Sequence, residues 1–269
     1  FMGPVPQHGE VDPQRYQAGQ EFLKAMFAGC QDLPLRLIYD LGGEWSNDGE
    51  RGGRKARLVY SWAKQAIPGI VTGSTLNGQY CLEAVGYLDY VSLRTYLFSD
   101  ALVRRIHDTK GEAYVYGYPD RFSNGLYLWR VGAKGNYLTE YYTRSAHGEL
   151  FNDFDTPYAD LAWSHALPSP DGPVPRVLLY SRAAGFLDAL TLYTLEALAA
   201  KAAASGSDQA RQLAAEAQRF LDELRAGIPD EYKKIEELGL RPTAESMDKT
   251  RLAAALKAYD LQQALQQGK

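Results

Sequence analysis

The chain has 269 residues, 45% of them hydrophobic and 23% charged, enough for one large domain or two modest ones. Its net charge of -4 excludes a broad nucleic-acid surface, which needs a basic excess, and no apolar run is expected to reach the roughly 18 residues of a membrane span. Two cysteines, Cys30 and Cys81, exclude a disulfide framework, and the four histidines are too scattered for a zinc site, so neither a metal nor another cofactor is expected.

From the N-terminal side, Asp12-Pro13 opens a helix that runs to about Gly29, with Pro13 suited to its first turn and Tyr16, Phe22, Leu23, Met26 and Phe27 as the apolar stripe. Leu35 to Asp40 reads as a strand that emerges into a loop closed by Gly49, Gly52 and Gly53, and Arg54 to Ala66 as the next helix. Pro68-Gly69 leads to a strand from Ile70 to Thr75, and Asn77-Gly78 turns the chain into a short helical piece over Leu82–Val85. Asp89 to Tyr96 is a strand. Ser99 is an N-cap for a helix over Asp100–Thr109, and Gly111 precedes a strand over Glu112–Tyr118.

Leu126, Trp129, Val131 and Ala133 then give a helical apolar face, with Gly132 and Gly135 as its break, before a tyrosine-rich strand from Tyr137 to Tyr142. The proline-rich stretch up to Pro175 reads as loop. Long helices follow over Val177–Ala204 and Asp208–Ala226, separated by Ser205-Gly-Ser207, and two more over about Asp230–Leu238 and Ser246–Gln266.

Strict alternation of helix and strand implies a parallel sheet with right-handed crossovers, and five strands at this density suit a (β/α)8 TIM-type barrel. The expected fold class is therefore α/β, with only the later strands of a barrel in residues 1–204 and a helical tail packing on it in residues 205–269. The first strands are expected from elsewhere, either the missing N-terminal half or another polypeptide. A homo-oligomer through the tail is a lesser expectation.

In a parallel barrel the site lies at the C-terminal strand ends. Those ends gather Asp40, Glu44, Trp45 and Asn47, then Ser74, Thr75 and Asn77, then Arg94 and Tyr96, then Tyr116, Tyr118 and Arg121, and finally Glu140 and Tyr141. Acids, amides, arginines and aromatics together suit a carbohydrate: rings cover the apolar faces of pyranoses, and polar groups take hydroxyls. The 19 tyrosines, concentrated between Tyr80 and Tyr158, fit such a cleft. Glycoside hydrolysis commonly uses two carboxyl groups, about 5–5.5 Å apart for retention or about 6.5–9.5 Å for inversion. Asp40 with Glu44 needs the Gly42-Gly43 turn to fold back, whereas Glu44 with Glu140 joins different strand ends. Arg94 and Arg121 are open to two roles, substrate clamp or ion-paired scaffold, and Glu140 to a partnership with either.

The segment Arg121–Gly135 (RFSNGLYLWRVGAKG), with Phe151–Asp155 (FNDFD), Pro168–Pro175 (PSPDGPVP) and Leu192–Glu196 (LYTLE), resembles glycoside hydrolases of the family 123 type and their relatives. The resemblance spans about residues 35–200. It implies the later strands of a (β/α)8 catalytic domain followed by helices, a β-N-acetylgalactosaminidase-type activity assisted by the substrate's acetamide, and an extracytoplasmic setting. It places Glu44 on the general-acid position. Gly43 stands where relatives carry the Asp that orients the acetamide, which leaves Asp40 as the substitute. The resemblance also makes Gly125–Ala133 a marker of fold, with Trp129 structural. Two functions follow as expectations: a glycoside hydrolase using Glu44 with Glu140 or Asp40, and a decayed barrel that binds carbohydrate or serves as a scaffold. In both, Trp45, Asn47, Asn77, Arg94, Tyr96, Tyr116, Arg121 and Tyr141 form the sugar site.

Overall fold

A computed structural model describes residues 13–30, 38–40, 49–117, 120–137, 166–167, 174–175 and 177–267. Two compact units emerge: residues 1–116 with Ala133–Tyr137, and Gly117–Gly132 with Leu138–Lys269.

The first unit holds helix α1 (Pro13–Gly29), strand β1 (Ile38–Tyr39), helix α2 (Gly49–Ala66), strands β2 (Val71–Leu76) and β3 (Tyr90–Arg94), helix α3 (Asp100–Asp108), and strands β4 (Glu112–Tyr116) and β5 (Gly135–Tyr137). All five strands are parallel and lie in sequence order, β1-β2-β3-β4-β5, in an open sheet. The α/β class with a parallel sheet therefore stands as expected. On β3 and β4 burial alternates residue by residue, because successive side chains point to opposite faces. Val91, Leu93, Ala113 and Val115 are fully buried on one face. Tyr39, in register with Thr72 on that face, meets the Tyr60 ring of α2 edge-on at 6.3 Å, and α3 packs on β4 through its apolar stripe of Leu102, Val103 and Ile106.

Helix α2 starts five residues earlier than its sequence suggests. Gly52 and Gly53 are buried within it because a 3-10 segment, Gln79–Tyr87, lies against them. A Cβ on Gly53 would sit 2.0 Å from the Tyr80 carbonyl oxygen. Gly53 allows this close approach, and both glycines lie within the helix and do not close a loop. Ser99 caps α3 as expected, its hydroxyl accepting from the Leu102 N–H at 3.2 Å. Helix α1 has its expected bounds, but Phe22 and Met26 of its apolar stripe remain exposed.

At the N-terminal ends of β2 and β3, Asp89 ties the unit together. Its carboxylate accepts from Lys64 Nζ at 2.5 Å and from the Thr72 N–H at 2.7 Å. Burial opposes ionisation of Asp89, but Lys64 and the Thr72 donors outweigh it and hold its pKa below the usual carboxylate value.

The second unit contains α4 (Arg121–Asn124), α5 (Leu126–Arg130), a two-residue antiparallel pair of β6 (Ala166–Leu167) and β7 (Val174–Pro175), and helices α6 (Val177–Ala203), α7 (Asp208–Ala226), α8 (Tyr232–Glu237) and α9 (Ala244–Gln267). Alanines line the α6–α7–α9 interfaces: Ala189, Ala199 and Ala202 on α6, Ala210, Ala214 and Ala217 on α7, and Ala254, Ala258 and Ala264 on α9. Such small side chains let helix backbones approach closely. The α4–α5 junction packs on α6 the same way, since a Cβ on Gly185 would lie 2.5 Å from the Arg121 carbonyl oxygen. Trp129 is fully buried, with the Arg225 guanidinium 4.5 Å from its ring centre, and Tyr127 donates to the Asp230 carbonyl at 2.9 Å. The tryptophan is core, as the helical spacing implies.

By length and composition alone, helix α6 is apolar enough to cross a membrane, because few charges interrupt its leucines and alanines. One of those charges, Asp188, is buried in ion pairs with Arg121 and Arg251.

Candidate functional site

Register and strand alternation place Thr75, Tyr90, Ser92, Arg94, Glu112, Tyr114 and Tyr116 on the sheet face opposite the buried Val91, Leu93, Ala113 and Val115. All seven are half-buried. The three central strands set them in successive rows: Tyr90 beside Glu112, then Thr75, Ser92 and Tyr114, then Arg94 beside Tyr116 at the C-terminal edge. Asn77 follows β2 directly at that edge.

Aromatic rings dominate this face. Tyr90 and Tyr114 have ring centroids 5.8 Å apart, tilted by 47°. Tyr114 also lies over Gly135, where a Cβ would come within 3.3 Å of the ring, and its hydroxyl donates to Glu112 Oε2 at 3.0 Å. Gly135, read in the sequence as a helix break, is thus a strand residue that leaves room for an aromatic ring.

At the edge, the Arg94 guanidinium carbon is 5.2 Å from the centre of the Tyr116 ring. Tyr96, half-exposed, donates its hydroxyl to the Asn77 backbone carbonyl. Arg94 Nε, Asn77 Oδ1 and Ser92 Oγ are buried atoms with no hydrogen-bond partner. Buried polar atoms are normally satisfied, so three orphans near one sheet edge mark a place that a ligand can complete.

The candidate residues divide as follows. Asn77, Arg94, Tyr96 and Tyr116 come together at the edge of β2–β4. Asp40 does not join them. It is exposed and follows β1, which pairs with the beginning of β2, so it stands two strands across and about four residues back from Arg94. That offset is roughly 16 Å.

Arg121 belongs to the second unit, and its guanidinium is engaged by carboxylates. Nε donates to Asp188 Oδ2 at 2.6 Å, Nη2 to Asp188 Oδ1 at 2.9 Å, and Nη2 lies 2.8 Å from Asp248 Oδ1. Of the two roles open to this arginine, ion-paired scaffold is the one observed. Glu44, Trp45, Asn47, Tyr118, Glu140 and Tyr141 lie outside the described residues.

Tyr90, Ser92, Glu112 and Tyr114 were not singled out from the sequence. The signal was present: Glu-Ala-Tyr-Val-Tyr over β4 alternates polar-aromatic with apolar residues, which marks the face opposite the core. Burial pushes the Tyr39 phenol, on the helix-packed face, up to about 12. A ring-lined face with a guanidinium and an amide at its edge can stack on an apolar ring face and bind polar or anionic substituents. Among the described residues no carboxylate shares the row of Arg94 and Tyr116. No protein-family model matches the chain, and no curated protein matches it either.

Proposed function

We propose that the protein binds carbohydrate on the tyrosine-lined face of its parallel sheet and acts there as a glycoside hydrolase, with Glu44 as general acid. The observation that carries this is the aromatic face itself: Tyr90, Tyr114 and Tyr116, half-buried and side by side, with Arg94 at the C-terminal edge. In soluble α/β proteins a sheet face of this kind is normally covered by apolar packing, whereas tyrosine combines a flat apolar surface with a hydroxyl that stays wet.

Sequential parallel strands without a switch point send every right-handed crossover to one side of the sheet, as in a (β/α)8 barrel and unlike a doubly wound sheet. We read the five strands as the later part of such a barrel. The tyrosine face is then its interior side, and the Arg94 edge its catalytic end. Glu44 follows β1 by five residues of sequence. The second carboxylate is Glu140, three residues beyond the end of β5 in sequence.

A second reading, carbohydrate binding without hydrolysis, is favoured by one observation: Asp40, the candidate acid among the described residues, is displaced from the Arg94 edge. Turnover separates the two. The assay is release of aryl aglycone from a panel of aryl glycosides that includes N-acetylhexosaminides, with the wild-type chain and Glu44→Gln. Hydrolysis that disappears in Glu44→Gln with the fold retained supports the hydrolase. Hydrolysis that persists in Glu44→Gln contradicts the assignment of the acid, and saccharide binding with no turnover of any glycoside supports the binding protein.

A further inference from the structure

We infer that the saccharide held on this face is anionic, with a carboxylate or sulfate ester seated against Arg94; this rests on the carbohydrate reading above. Several part-buried cations elsewhere in the chain are answered by acceptors: Lys64 by the Asp89 carboxylate, Arg121 by Asp188, Arg225 by Glu196 at 2.6 Å, and Arg130 by the Ile228 carbonyl at 2.7 Å. Arg94 is half-buried and has no such partner among the described residues. Its neighbours in the fold are a ring, Tyr116, and an amide, Asn77.

A guanidinium stays protonated in any folded protein, so Arg94 cannot relieve partial burial by becoming neutral. Its charge is compensated by the face of Tyr116, which orients the group but accepts no hydrogen bond in its plane. Nε, one of the donors along the edge that matches a carboxylate or sulfate, is buried and unsatisfied. The geometry therefore asks for a planar or tetrahedral anion with two acceptor oxygens.

The tyrosines set where that anion comes from. Tyr114 precedes Tyr116 by two residues on the same strand face, a spacing of about 7 Å, close to the width of a pyranose with its exocyclic group. A sugar ring resting on Tyr114 and Tyr90 thus extends a C6 carboxylate or a ring sulfate to Arg94. A free anion would use Arg94 without using these rings.

The test is calorimetric titration of the whole chain with matched saccharides. The pairs are oligogalacturonate against its methyl ester, and a sulfated galactan oligosaccharide against its desulfated form, with sodium acetate and sodium sulfate as sugar-free anions. The expected result is at least tenfold tighter binding of the charged member of a pair. That preference should vanish in Arg94→Gln, whose fold is checked by circular dichroism, while Arg94→Lys keeps part of it.

Equal binding of charged and neutral members by the wild-type chain overturns the anionic substrate and leaves the carbohydrate reading standing. A charge preference that survives in a folded Arg94→Gln overturns the role of Arg94. Acetate or sulfate binding as tightly as the charged saccharides overturns the sugar and leaves an anion at Arg94. No binding of any probe overturns both.

Discussion

Arg121 and Asp188 form a two-point ion pair across 67 residues of sequence, with guanidinium-to-carboxylate distances of 2.6 and 2.9 Å and an aspartate only 1% exposed. Arg251 approaches the same carboxylate at 3.3 Å, and Arg121 also meets Asp248 at 2.8 Å. The four charges pin α4, α6 and α9 to one another. Breaking one partner of a buried pair leaves the other charge uncompensated, which typically costs about 3–5 kcal/mol. Asp188→Asn should lower the unfolding free energy by that order in urea titrations. The double variant with Arg121→Gln should recover part of the loss, because it removes the stranded charge. A loss under ~1 kcal/mol for Asp188→Asn would mean that the network is solvated.

Gly53 gives a sharper steric test. A methyl group there would meet the backbone oxygen of Tyr80 at 2.0 Å, which cannot yield without moving the 3-10 segment. Gly53→Ala should destabilise by about 1–3 kcal/mol, the range for overpacking. Gly86→Ala, where a Cβ meets nothing within 4 Å, is its control and should change stability by less than ~0.5 kcal/mol. Paired thermal melts decide it, and equal behaviour of the two would show that α2 and the 3-10 segment are not in contact.

Stability should fall on both sides of neutral pH, for separate reasons. Burial raises the phenol pKa of Tyr39 to about 12 and also raises those of Tyr127, Tyr193 and Tyr232. A pKa raised by folding favours the neutral phenol, so this contribution is complete below the unfolded value near 10 and disappears as pH rises through 12. Asp89 has a lowered pKa, so its contribution is complete above the unfolded value near 3.8 and disappears as pH falls through the folded one. Denaturation midpoints followed together with tyrosinate absorbance should show alkaline unfolding coinciding with ionisation of the late-titrating tyrosines. Asp89→Asn should flatten the acid limb and leave the alkaline limb unchanged.

Much of the backbone organisation was legible in the sequence. The bounds of α1 and of α7 coincide with their helical periodicity and caps, Ser207 accepting from the Ala210 N–H as Ser99 does at α3. The strand–helix alternation also pointed to a parallel sheet. What resisted were features set by distant contacts. Gly53 reads as a loop residue because its reason for being glycine, the Tyr80 backbone, arrives 27 residues later. Asp188 sits among leucines and alanines in α6, and nothing local marks it as the partner of Arg121.

The site was legible at its edge and not on its face. Asn77, Arg94, Tyr96 and Tyr116 follow from the rule that strand ends carry chemistry. Tyr90, Ser92 and Tyr114 required knowing which side of β3 and β4 the helices cover, and Asp40 fell out because β1 pairs with the start of β2.

The account turns on whether sugar rings use the tyrosine face. The most direct measurement is saturation-transfer NMR of the intact chain with a saccharide panel, repeated with Tyr114→Ala and Tyr116→Ala variants whose fold is checked by circular dichroism. We predict transfer to pyranose ring protons in the wild-type chain and about two- to tenfold weaker binding in each variant, consistent with ~0.5–1.5 kcal/mol for a stacked aromatic contact. Saccharide binding that is unchanged by both substitutions, or absent from the wild-type chain across the panel, would contradict the claim.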